Sequence, residues 1–154
     1  MLKRDLLLIV LIFILIMGLF SCGFNSSFKT YSIASPSMEP TLKKGTVITT
    51  VPVISDLQRG DIVVYARPDN GSASLVHRIV GLPGETIEIS NGKLFISGMV
   101  IVEPYVIEPQ TYSVKPLVIP DSYYFVLGDN RNHSNDSHNY GPIPKTSIIG
   151  IVVK

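Results

Sequence analysis

The pattern of apolar and polar positions splits the chain soon after its start. Residues 6–24 run for nineteen positions without a charge, and Ser21 is their only strongly polar side chain. A helix rising 1.5 Å per residue over that length just crosses a hydrocarbon core of about 30 Å. The run is also longer than the roughly 7–15 apolar residues of a cleavable secretory leader. It reads as a membrane anchor, against two alternatives: a cleaved signal, or a lipoprotein leader ending at Leu19-Phe20-Ser21-Cys22 with Cys22 lipidated. Lys3 and Arg4 precede the run, which sets the N-terminus in the cytoplasm. The expected organisation is a cytoplasmic tip, anchor and short linker at 1–27, followed by an extracytoplasmic domain at 28–154.

Beyond residue 27 the period changes to that of strands. Residues 28–34 show mixed alternation, and 46–53 are β-branched almost throughout. The apolar run 62–65 follows Arg59-Gly60-Asp61, and a loop at 67–74 leads into 75–80, an extended segment with His77 at its centre. Asn91-Gly92 between the alternating runs 86–90 and 93–97 predicts a two-residue type I′ hairpin, with Ile87 and Ile89 facing Leu94 and Ile96. Pro104, Pro109 and Pro116 interrupt 100–117, which reads as a peripheral excursion. A short buried strand at 123–127 runs into a polar loop at 128–141, and 147–153 form the last strand. No repeat, heptad or long soluble helix is evident, so the expected class is mostly β and antiparallel, with one N-terminal transmembrane helix.

Composition changes this picture little. A length of 154 residues suits one domain better than two. Eleven prolines and twelve glycines agree with a turn-rich β protein. The net charge is +1 with no basic stripe, which argues against nucleic acid as a partner. Cys22 is the only cysteine, so no intramolecular disulfide can form.

Candidate chemistry gathers in three places: Ser35 and Ser37, then His77 and Arg78, then Asp129-Asn130-Arg131 through Ser134, Asp136 and His138. Pro36 and Pro40 brace the first of these. They push Ser35 and Glu39 into extended backbone and hold Ser37 in a stiff, non-helical corner. A hydroxyl fixed in that way suits a nucleophile. Hydrolysis by serine also needs a base within reach, a group that orients the base, and donors for the oxyanion. His133 and His138 read as solvated loop residues, and their spacing is weak evidence for zinc. No metal or cofactor is expected.

Four blocks then stand in a telling order. Ser35-x-Ser37-Met38-x-Pro40-Thr41-Leu42 is followed by Arg59-Gly60-Asp61-Ile62-Val63 and by Arg78-Ile79-Val80-Gly81-Leu82-Pro83-Gly84-Glu85. Gly128-Asp129-Asn130-Arg131-x-x-Ser134-x-Asp136-Ser137 comes last. Together they resemble type I signal peptidase across nearly the whole outer part of the chain. The resemblance implies a membrane-anchored β domain that cuts signal peptides from exported preproteins after small-x-small sites. Its partners would be those signal peptides and the lipid bilayer of a plasma membrane, and the protein would be a monomer.

On the resemblance, Ser37 is the nucleophile. The Ser37 N–H and the Ser35 hydroxyl form the oxyanion hole, Ser134 and Asp136 support the base, and Arg78 and Asp129 belong to its surroundings. The departure is His77, which stands where bacterial members carry lysine; His138 also replaces a usual arginine. An imidazole starts near pKa 6.5 and needs little tuning to act as a base. The expected site is therefore Ser37 with His77, and Asp136 or Asp129 accepting the other ring N–H. The rival readings are a processing peptidase dedicated to one secretion, pilus or conjugation substrate, and an inactive tethered binding domain.

Overall fold

The computed structural model describes residues 28–67 and 73–153. The expected span 6–24, the 25–27 link, Cys22 and most of the 67–74 loop lie outside them. No helix among the described residues is long and apolar enough to cross a membrane.

The described chain is built from antiparallel strands in two sheets. Lys29–Ser32 (β1), Val47–Val51 (β2), Ile62–Ala66 (β3), Ser74–Gly81 (β4), Tyr123–Leu127 (β9), Ile143–Pro144 (β10) and Ile148–Val153 (β11) form the larger sheet, in the order β1-β2-β11-β3-β4-β9-β10. Thr86–Ser90 (β5), Lys93–Ile96 (β6), Met99–Val100 (β7) and Val114–Val118 (β8) form the smaller one, in the order β7-β6-β5-β8. The last strand is inserted between β2 and β3, so the end of the chain closes the middle of the sheet.

An unbroken apolar run suits a strand covered on both faces, and β3 is one. Val63 and Tyr65 enter one apolar cluster with Ile79, Tyr124, Val126 and Ile143, while Val64 packs on the other face with Ile33 and Ile48. Alternation in β9 splits the same way. Tyr124 and Val126 join the first cluster, and Phe125 and Leu127 join a third cluster with Val80, Ile87, Ile89, Leu94, Ile96 and Ile119. That third cluster joins the two sheets.

The hairpin forms in the expected register, with Ile87 opposite Ile96 and Ile89 opposite Leu94. Asn91 and Gly92 both take positive φ, 51° and 71°, as a type I′ turn requires. The 100–117 stretch is not purely peripheral, because Val114–Val118 pairs with β5 as an edge strand. Pro116 falls on this edge strand, within the register shift between Leu117 and Val114, and edges and bulges are where a sheet tolerates proline. The 128–141 loop also carries local helix, a 3₁₀ turn at Arg131–His133 and a single α-turn at Ser137–Tyr140.

Candidate functional site

Ser37 does not sit in a non-helical corner. It lies inside a 3₁₀ turn, Pro36–Met38, with Ser35 as N-cap. Proline at the first helical position is pre-set for a helix start, so Pro36 begins the turn. Extended backbone at Glu39, just before Pro40, ends it. Ser35 is extended as expected. Ser37 and Met38 are buried.

The loop after β9 clamps this turn. Asn130 N–H donates to the Ser37 carbonyl at 3.0 Å, and the Asn130 side chain donates to the Pro36 carbonyl at 3.2 Å. Gly128 permits the approach. A Cβ placed there would lie 2.5 Å from the Ser37 carbonyl oxygen and 2.4 Å from Ser134 Oγ. The loop is itself tied down by buried ion pairs. Arg78 meets Asp129 through two bonds of 2.8 and 2.6 Å and lies 4.0 Å over the Tyr105 ring. Arg131 is buried, pairs with Glu103, and donates to the Gly128 carbonyl.

His77 is on β4, 2 % exposed, opposite Val63 of β3. Its Nε2 lies 3.2 Å from Ser134 Oγ. The Ser37 hydroxyl bonds to Ser35 Oγ at 3.0 Å, and Ser35 Oγ also accepts from Ser37 N–H at 3.5 Å. Ser35, Ser37 and His77 line one cleft of about 460 Å³, together with Ile33, Met38 and Val76. Ser37 and His77 thus face a common space and are not directly hydrogen-bonded. Such contacts are often loose without substrate and tighten in the complex.

The expectation that Asp136 or Asp129 takes the other ring N–H does not match the geometry. His77 Nδ1 instead meets the Tyr65 hydroxyl at 2.7 Å. Both Asp136 oxygens are engaged elsewhere: one accepts from Gly128 N–H, the other from His138 N–H and pairs with His138 Nδ1 at 2.7 Å. Asp136 is the N-cap of the Ser137–Tyr140 turn, and capping holds its carboxylate away from the imidazole. Asp129 is taken by Arg78 and by the Thr41 hydroxyl. His138 is not a solvated loop residue, since it is half-buried and stacks on Tyr112 with centroids 3.9 Å apart. His133 is exposed and pairs with Asn130.

Electrostatics follow from burial. Desolvation pushes the His77 imidazole down to about 4, and the charges of Asp136 and Asp129 work against that fall. Burial would raise Asp136, but hydrogen bonds from His138 and Gly128 N–H outweigh it and hold the carboxyl below its ordinary range. Burial drives the Tyr65 phenol far above its usual value, so it stays neutral.

Sequence reasoning missed Tyr65 and Tyr140, and it carried Gly128 in a motif block without a role. The signal for Tyr65 was its place at the end of an otherwise aliphatic run, which matters only once β3 is set against β4. Fold and cleft together define a β-rich protein that presents a turn-borne serine and a strand-borne imidazole to one space, the groups that acyl transfer uses.

The chain belongs to the family described as signal peptidase, peptidase S26, whose model matches residues 3–154. It is 40% identical over 132 residues to thylakoidal processing peptidase 1 of Arabidopsis thaliana, covering 77% of this chain and 39% of that one. It is 40% identical over 129 residues to the probable signal peptidase I-1 of Synechocystis, covering 77% and 65%. It therefore spans less than two thirds of these relatives. The crystal structure of a signal peptidase I from Enterococcus faecalis V583 superposes with a TM-score of 0.59 at 33% identity, covering 65% of this chain and 99% of that one. The mostly antiparallel β fold is thus signal-peptidase-like.

Proposed function

We propose that this protein is a serine endopeptidase that removes signal peptides from exported preproteins, with Ser37 as nucleophile and His77 as general base. The observation that carries the reading is the shared cleft: the Ser37 turn and His77 open onto the same space, and Ser134 stands at the Nε2 of the ring. In the reaction, the Ser37 hydroxyl attacks the scissile carbonyl while His77 Nε2 takes its proton. The Ser37 N–H and the Ser35 hydroxyl stabilise the oxyanion, where one lost donor typically costs about 10²–10³ in rate. The imidazolium returns its proton to the leaving amine, and water then hydrolyses the acyl-enzyme by the reverse sequence. Asp136 and Asp129 act on the base through their charge, and Arg78 holds Asp129.

The apolar cleft wall suits small side chains before the cut. We place 1–27 as tip, anchor and linker in the plasma membrane, single-pass with the N-terminus inside, and 28–154 as the outer catalytic domain. The test uses the full chain in detergent with a fluorogenic signal-peptide substrate. Ser37→Ala is expected to abolish turnover, and so is His77→Ala with the fold retained. Unchanged turnover in Ser37→Ala removes the assignment. Cleavage of several unrelated preproteins separates a general peptidase from one dedicated to a single substrate.

A further inference from the structure

We propose that Tyr65 is the residue that positions the His77 base, filling the place a carboxylate holds in a Ser-His-Asp arrangement. The inference rests on the serine-peptidase reading and goes beyond it.

The placement comes from strand register. Val63 of β3 lies directly opposite His77 of β4, and Tyr65 is two residues further along, on the same face. Such diagonal neighbours are about 7–8 Å apart at Cα, a distance that an aromatic side chain spans. Tyr65 does so: its hydroxyl is 2.7 Å from His77 Nδ1, and the rings lie 5.8 Å apart at 49°. Tyr65 is 0% exposed and also bonds the Tyr140 hydroxyl. Neither end of the His77–Tyr65 contact is open to water.

The direction of the bonds follows from the chemistry. A base that takes the Ser37 proton at Nε2 must carry its own proton on Nδ1. That N–H then donates to the Tyr65 oxygen, and the Tyr65 O–H donates to the Tyr140 oxygen. A neutral phenol accepts one hydrogen bond, fixes the ring and its tautomer, and takes no proton itself. The charged groups acting on His77 are Asp136 and Asp129, which favour the imidazolium, and His138, which opposes it. Asp136, Tyr140 and Arg67 act on Tyr65.

Tyr65→Phe removes one oxygen and keeps the ring. On the full chain in detergent, kcat should fall about 10- to 100-fold with KM little changed, because the lost bond is strongest when the imidazole is charged. The acid limb of the kcat profile should also move to lower pH. Tyr140→Phe should shift both in the same direction by a smaller factor. With ¹⁵N-labelled histidine and His77→Ala for assignment, the resting ring should carry its proton on Nδ1, and Tyr65→Phe should erode that preference. Ser37→Ala and His77→Ala are run alongside. If both are dead while Tyr65→Phe keeps wild-type kcat and pH profile, the inference falls and the peptidase reading stands. A resting proton on Nε2 that ignores Tyr65→Phe also overturns it. If Ser37→Ala is active, the peptidase reading itself has failed.

Discussion

Gly128→Ala is the sharpest test of how the site is assembled. The new methyl would lie 2.4 Å from Ser134 Oγ, 2.5 Å from the Ser37 carbonyl oxygen and 2.7 Å from Ser134 Cβ. Ordinary contact begins near 3.4 Å, so about 1 Å must be found on each side. The Ser37 carbonyl cannot simply retreat, because Asn130 N–H holds it at 3.0 Å. Ser134 moves only by leaving His77 Nε2. Displacing the nucleophile turn or the base support by about 1 Å is expected to cost on the order of 10²-fold in kcat/KM. Overpacking of this kind costs about 1–3 kcal/mol in stability. The assay pairs kcat/KM on a signal-peptide substrate with thermal unfolding of the same preparation. Gly98→Ala is the control: its Cβ meets nothing within 4 Å, but its φ of +81° is strained, so stability should fall while kcat/KM holds. Wild-type kcat/KM and Tm in Gly128→Ala would mean that this glycine does not set the spacing between Ser37 and Ser134.

Two further predictions concern charge. Folded His77 has its pKa depressed to about 4, whereas the unfolded chain protonates near 6.5. Between those values the unfolded state binds the extra proton. Stability is therefore fully present above pH 6.5 and falls as pH drops towards 4, by about 3 kcal/mol from this group; urea unfolding of wild type and His77→Gln at pH 7 and pH 4.5 should show a smaller fall in the variant. Asp129→Asn leaves the Arg78 guanidinium without its buried counter-charge, and breaking such a pair typically costs about 3–5 kcal/mol. A denaturation midpoint equal to wild type in Asp129→Asn would show that the Thr41 and Arg78 contacts do not fasten the loop to the β4 strand.

Much of the fold was legible because period and turn chemistry agree in this chain. Asn91-Gly92 between two alternating runs fixes both hairpin and register, since only residues that accept positive φ fit there. The apolar run at 62–65 marked the strand Ile62–Ala66, whose two covered faces emerge only from the packing. The insertion of the last strand between β2 and β3 was not legible, because pairing across a hundred residues leaves no local mark. The site divides in the same way. Its blocks could be read, as could Ser35 and Ser37 on one turn. The wiring could not, because an aspartate in a polar loop is as suited to capping a helix as to orienting a histidine. Asp136 caps; Gly128 N–H and His138 consume its oxygens.

That outcome bears on what kind of base His77 can be. Position 65 lies in an apolar cluster with Val63, Ile79 and Val126. A carboxylate there would be a buried charge needing a further partner, at several kcal/mol. A tyrosine fills the same volume as a core aromatic and adds one oxygen where the imidazole needs it. The exchange has a chemical consequence, since a neutral acceptor stabilises the imidazolium less than an anion does. His77 is then held unprotonated at neutral pH, and its anionic support comes from Asp136 and Asp129, acting across space. The kcat/KM profile should therefore show its acid limb well below pH 6.5. A limb at or above 6.5 that vanishes in Tyr65→Phe would mean that the phenol holds more negative charge than its burial allows.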